Sequence, residues 1–225
     1  MKRIMIVVLG AAACTSGHSE RYGFVTVLGR DTVAVERIAR APDSFVSDEV
    51  DQWPAVRIRH TEMTLAPDGT IRHMVMDVRT PNAATPARRA RRVTADMSHD
   101  SVRISIRDSS GVKDTAFATG GAITVPHVSM MYGVIELEIA TAIARAAAAH
   151  LAAGDSVPFR QFYPDRDVGP AFVLHSGWVH PLAGGKVELW HDWLSGIGDA
   201  TVDSSGRMLA YSGQRSTYKV EVKRV

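Results

Sequence analysis

Nine histidines are the chain's most obvious source of acid–base or metal chemistry, and four residues around one turn carry the best-spaced cluster. If Ala66 pairs with Ile71 across Pro67-Asp68-Gly69-Thr70, His60 falls near Asp77 and Thr64 near His73, with Glu62 between them on the same face. Two imidazoles and two carboxylates on one sheet face could bind zinc or move protons. The other face of this segment carries Met63, Leu65, Met74, Met76 and Val78. That contrast makes solvated cross-strand pairs the simplest reading of the polar face and a catalytic role for His60, Glu62, His73 and Asp77 the sharper alternative.

A second group, His175, His180, His191 and Asp192, accompanies Trp178, Trp190 and Trp193. His175 and His180 are five positions apart and so point to opposite faces of a regular strand, which argues against a shared metal. The tryptophans are expected in the core, or otherwise as an aromatic patch facing a ligand, a bilayer or a carbohydrate. HExxH is absent, G-x-S-x-G is absent, and Gly120-Gly121 leads into a proline-containing segment instead of a phosphate-binding helix start. Ser216-Thr-Tyr-Lys219 spells S-x-x-K, but these residues open a terminal strand, where serine and lysine do not meet one helical turn apart. No metal site and no cofactor are expected.

Arg88, Arg89, Arg91 and Arg92 follow Arg79 in a stretch with no acid from Thr80 to Thr94. A solvated loop and strand edge accounts for such a run; contact with anionic lipid headgroups or a phosphate-bearing polysaccharide is the functional alternative.

The elements that must position these residues read as a chain of hairpins. Period-two segments rich in Val, Ile, Thr and aromatics flank Gly29-Arg30-Asp31, Pro67-Asp68-Gly69-Thr70, Asp108-Ser-Ser-Gly111, Gly184-Gly185 and Asp203-Ser-Ser-Gly206. Short strands at regular spacing predict a mainly β (α+β) fold, an antiparallel meander curved into a half-barrel or barrel. The exception is residues 132–152, alanine-rich, with Ile135, Ile139, Ile143 and Ala146 at helical spacing and Gly154 as a stop. This one long helix is expected to pack on the sheet through its small-residue second half. Residues 41–54 and 80–87 read as irregular loops, the second as a lip.

The beginning of the chain carries an address. Lys2 and Arg3, the apolar run Ile4 to Leu9 and the small residues Ala11 to Ala13 follow the order of a secretory signal peptide. The run is too short for a membrane-spanning helix, which needs about 20 residues. The sole cysteine, Cys14, stands directly after three alanines. The segment thus resembles the lipobox of bacterial lipoproteins, with Ala11 where leucine is usual, and that resemblance implies a diacylated Cys14 and membrane attachment. Ala11-Ala12-Ala13 is also an A-x-A site, through which an ordinary signal peptidase would release a free periplasmic or secreted protein. The expected organisation is a signal peptide over 1–13, a lipidated cysteine and tether over 14–20, and a single β-rich domain over 21–225. With no second cysteine the domain must fold on its core alone, and a chain of this size buries roughly 70% of its unfolded surface. The net charge of +2 is due to Lys2 and Arg3; beyond them 24 basic residues face 24 acidic ones. A neutral domain has no general attraction for nucleic acid, and that class is set aside.

Phe24-Val-Thr-Val-Leu-Gly-Arg-Asp-Thr-Val-Ala-Val-Glu36, the closing Asp203-x-x-Gly-Arg-x-Leu-x-x-Ser-Gly213 and Ser216-Thr-Tyr-Lys-Val-Glu221 resemble a group of uncharacterised exported bacterial β-rich proteins. More loosely, the architecture resembles the lipoprotein-carrier superfamily of half-barrels such as LolA and LolB. That resemblance implies a non-catalytic envelope lipoprotein holding a lipid-like, apolar or amphipathic ligand between sheet and helix. Met74, Met76, Ile135, Ile139 and Trp178 are the candidate lining residues. The alternatives are an enzyme acting on an envelope substrate through the His60 face and a purely structural or partner-binding module.

Overall fold

The computed structural model describes residues 19–53, 55–152, 155–164, 174–192, 196–215 and 217–225. The expected signal segment, Cys14, the Gly154 stop, Trp193 and Ser216 lie outside them.

Among the described residues, alternation of apolar and polar residues produces fifteen strands. The first eight are β1 (Glu20–Leu28), β2 (Asp31–Arg40), β3 (Ser44–Asp51), β4 (Arg57–Leu65), β5 (Ile71–Arg79), β6 (Ala90–Met97), β7 (Ser101–Asp108) and β8 (Gly111–Ala118). The rest are β9 (Thr124–Pro126), β10 (Val157–Phe162), β11 (His175–Pro181), β12 (Lys186–His191), β13 (Gly198–Val202), β14 (Met208–Arg215) and β15 (Tyr218–Arg224). A single helical turn, α1 (Pro86–Arg89), precedes β6, and α2 (Tyr132–Ala148) lies between β9 and β10.

All fifteen strands form one sheet in the order β8 to β1, then β15 to β9, so the chain's first and last strands pair in the middle. The hairpins form where turn chemistry predicts them. In the β4–β5 hairpin Asp68 Oδ1 accepts hydrogen bonds from the Thr70 backbone N–H and hydroxyl, and Gly69 takes the φ of 80° that a side chain would resist. The meander has one parallel pair, β9 with β10. The physical cause is α2, since a parallel pair needs a long crossover and the helix supplies it.

So wide a sheet must curl, because twist accumulates from strand to strand. Its two edge strands, β8 and β9, are joined by only residues 119–123, and the Phe117 and Phe162 rings meet across the gap at 5.9 Å. The sheet is thus curved nearly back on itself while its edges stay unpaired with each other. The core lies on the inner face, around Phe24, Phe45, Met74, Met76, Leu189 and Met208 from the strands and Leu137 and Ile139 from α2. Among the described residues no helix is long and apolar enough to cross a membrane.

Four expectations need correction. The helix ends at Ala148, with His150 turning at a φ of 50°. Its buried half is Tyr132 to Ala142, and the alanine-rich half that was expected to pack is largely exposed. Close approach comes instead through Gly133, where a Cβ would stand 2.6 Å from Phe45 Cζ and 2.8 Å from Ile38 Cδ1. Residues 41–54 are not a loop but mostly β3, hidden because its inward positions include Ser47, Glu49 and Asp51. Finally, β6, starting within the arginine run, pairs on both sides with β5 and β7 and is no edge.

Candidate functional site

Side chains that could do chemistry occur in two layers. The inner one is a set of buried polar residues on the same parity as the core. Glu36 caps α2, accepting hydrogen bonds at 2.9 Å from Gly133 N and at 2.7 Å from the Ser47 hydroxyl. Arg59 Nη1 holds Glu49 and Asp51, each at 2.6 Å, and reaches the Ser129 carbonyl in the segment leading into the helix. Glu136 accepts hydrogen bonds from Tyr22, Arg40 and the Met208 backbone N–H. Glu138 meets Gln161 at 2.8 Å and His191 at 3.0 Å. Burial pushes Glu36 up to about 7 despite its hydrogen bonds, and burial outweighs Arg59 in raising Glu49 to about 8.

This layer resembles an active site in residue types but not in access. Glu136, Glu138 and His191 are buried, and the adjoining void, lined by His127, His191 and Tyr211 among others, is about 20 Å³. That is room for one water and no substrate. What the layer does is tie the first two turns of the helix, at Gly133, Glu136 and Glu138, to the sheet. A partner removed from such a pair leaves an uncompensated buried charge.

The outer layer faces solvent. Strand register aligns Arg37, Asp48, His60, Asp77, Arg92 and Arg107 in one row across β2 to β7. The neighbouring row is Val35, Val50, Ile58, Arg79 and Ala90. Together they line a groove of about 1010 Å³. Three large aliphatics in register are exposed there, Val35 at 43%, Val50 at 51% and Ile58 at 41%. Asp77 pairs with Arg92 at 2.8 Å, while Arg37, Arg79 and Arg107 make no ion pair with a described residue. The groove therefore joins an apolar strip to cationic groups that are not neutralised locally.

His60 is opposite Asp77 and Thr64 is opposite His73, as predicted, but at the turn it is Leu65 and not Ala66 that pairs with Ile71, with a register shift between Thr64 and Leu65. The histidine cluster does not converge, however. His60 bonds Asp48 at 2.7 Å and Glu62 at 3.1 Å, and His73 turns to Asp96 at 2.7 Å. The Asp48 hydrogen bond raises the His60 pKa, and the pair stands in water on the outer face. Among the described residues no group of three acidic, histidine or cysteine side chains is arranged to hold a metal.

Met74, Met76, Ile135 and Ile139 come together in one hydrophobic core, and the void beside Ile135 is about 20 Å³. Trp178 is not with them. Gly177 and Val179 take the inward positions, so Trp178 lies on the outer face beside Trp190, half-buried, and the expectation of core tryptophans is corrected. The arginine run is divided as well: Arg88 and Arg89 are in α1, Arg91 has inward parity and Arg92 points outward.

The inner polar layer and the exposed aliphatic strip went unread in the sequence, yet both carry a signal. Glu36 shares parity with Ala34 and Ile38, and Arg59 with Met63 and Leu65, so each is a charge on a core-facing position. Val35, Val50 and Ile58 are the converse, apolar residues on the wet parity.

No protein-family model matches the chain, and no curated protein matches it. Among solved structures it is similar to a DUF1089 family protein from Pseudomonas aeruginosa, with a TM-score of 0.55 and 13% identity over 80% of this chain and 90% of that one. A β-barrel-like protein of domain of unknown function DUF1849 from Brucella abortus is similar with a TM-score of 0.49 and 11% identity, over 92% and 95%. At such identity the first likeness carries the overall fold and nothing finer.

Proposed function

We propose that this protein is a non-catalytic binding protein of the bacterial cell envelope that takes an anionic amphiphile, a lipid-like molecule with an acyl chain and a carboxylate or phosphate head. The observation that carries this reading is the outer groove, in which Val35, Val50 and Ile58 lie in register beside Arg79, with Arg37 and Arg107 in the next row. Covering exposed aliphatic surface is favourable by about 25 cal/mol per Å². Guanidinium groups that make no ion pair with a described residue suit a bidentate contact with phosphate or carboxylate. The reading keeps the ligand class implied by the resemblance to lipoprotein carriers and moves it from the inner face, which α2 fills, to the outer one.

Export and attachment through an acylated Cys14 complete the proposal. The support is the order of Lys2-Arg3, Ile4 to Leu9 and Ala11-Ala-Ala-Cys14. Incorporation of labelled palmitate that disappears in C14A is the expected result, and incorporation that persists in C14A refutes the anchor.

The groove is tested with C14A protein, so that no acyl chain contributes. Co-flotation with phosphatidylglycerol vesicles is expected, with little on phosphatidylcholine, and the R79A/R107A double variant should lose most of it. Equal flotation of parent and double variant refutes the groove. Loss of a hydrolytic activity in H60A, with binding intact, would favour the enzyme reading.

A further inference from the structure

On the opposite side of the cyclic strand order, β10 to β15 carry a surface of different chemistry. Trp178 on β11 and Trp190 on β12 are cross-strand partners on the outer face, their rings 6.5 Å apart between centroids and inclined by 22°. The arrangement depends on what lies beneath. His191 sits over Gly177 so closely that a Cβ there would stand 2.5 Å from His191 Cδ2, and the inward pair of Gly177 and His191 sends both neighbouring tryptophans outward.

Two residue pairs further along these strands, His180 meets Glu188 at 3.4 Å, and its ring stands edge-on to Trp178 with centroids 6.1 Å apart. From Glu188 the register continues through Asp199 and Ser212 to Glu221, four outward residues on successive strands. Together with Lys186 and Thr201 they line a groove of about 520 Å³. Three strand spacings separate the ends of that row, roughly 14 Å.

We infer that Trp178, Trp190 and the Glu188–Asp199–Ser212–Glu221 row form a binding site for an uncharged oligosaccharide. A pyranose ring has a C–H-lined face and a hydroxyl-lined rim. Its C–H face matches the tryptophan rings, and its hydroxyls match the carboxylate and serine acceptors, so one ligand satisfies both parts. Other occupants fit less well. The groove mixes Glu188, Asp199 and Glu221 with Lys186 and Lys223, and Glu221 already pairs with Lys219 at 2.6 Å, so a charged ligand of either sign meets like charges, while a purely apolar one would strip these groups of water without replacing the hydrogen bonds. The site is separate in sequence and register from the arginine groove, and the two proposals stand or fall independently.

Isothermal titration calorimetry with cellotetraose, chitotetraose and maltotetraose tests the site, at about 0.5 M NaCl to screen ionic contacts. At least one of the three is expected to bind. W178A should weaken that binding about tenfold or more, the weight of a tryptophan hot spot, while W178F retains part of it. R79A/R107A should bind the sugar as the parent does. No binding of any of the three up to about 10 mM overturns the inference. So does unchanged affinity in a W178A protein whose circular dichroism matches the parent, or equal loss in R79A/R107A.

Discussion

Glu36 and Gly133, 97 positions apart in sequence, meet where the Glu36 carboxylate accepts the Gly133 N–H at 2.9 Å and so closes the first turn of α2. The Met131 N-cap position has no capping side chain of its own. A strand residue therefore performs the task usually done by a local Ser, Thr, Asp or Asn, and the helix is anchored at its dipole-positive end inside the barrel.

Gly133→Ala sets two effects against each other. Alanine is the better helix former by about 1 kcal/mol. Its Cβ would stand 2.7 Å from Glu36 Oε1, in addition to the approaches to Phe45 and Ile38. Overpacking of this kind costs about 1–3 kcal/mol, and the contact is expected to win. Urea unfolding should show a lower midpoint for G133A than for the parent.

Stability should depend on pH through the buried carboxyls. Glu36 and Glu49 have folded-state pKa values raised from 4.5 to about 7 and about 8, in both cases because burial disfavours the charge. A raised value means the folded state holds the proton more tightly, so this contribution is complete below pH 4.5 and is lost as pH rises through 7 and 8. For Glu36 it is on the order of 3 kcal/mol. Asp68 acts in the opposite sense: the Thr70 hydroxyl lowers its pKa, and its small contribution is lost in acid. Urea midpoints should fall between about pH 5 and pH 9, and E36Q should flatten the lower part of that slope.

The pair of Glu138 and His191 should be strongly coupled. Both are buried and lie 3.0 Å apart, so H191A leaves Glu138 with one partner fewer in a dry interior. A cost of about 3–5 kcal/mol is expected. A double-mutant cycle of H191A and E138A by chemical denaturation should return a coupling above about 1 kcal/mol. Additive effects would show that the contact does not help to hold α2.

Substitutions on the outer face should separate binding from folding. Val50 is exposed, and V50D should leave the unfolding midpoint nearly unchanged while abolishing flotation on anionic vesicles by placing a carboxylate on the apolar strip. H60A should change stability by less than about 1 kcal/mol, because its partners Asp48 and Glu62 are solvated.

Local chemistry was enough to read a good part of this fold. Asp68-Gly69 and Asp203-Ser-Ser-Gly206 specify their turns within four residues, while the register of β4 on β5 also depends on the shift between Thr64 and Leu65. The periodicity of residues 132–148 likewise declares a helix, since its hydrogen bonds close within the segment. Strand β3 escaped because Glu49 and Asp51 on its inward side mimic a solvated loop, and their true status depends on Arg59 from the next strand.

By itself the sequence determined the elements, most turns and which residues share a strand face, because these are set by neighbours a few positions away. Only the tertiary structure decided which face is inside and what a charge meets there. The pairing of β1 with β15 and the insertion of α2 bring Glu36 to Gly133, Glu136 to Tyr22 and Glu138 to His191, contacts no local pattern encodes. The same closure turned Trp178 outward and filled the inner face, moving the candidate binding surface to the outside of the sheet. Burial is a property of the whole curved sheet, and its cost and sign for each charged residue follow from that curvature.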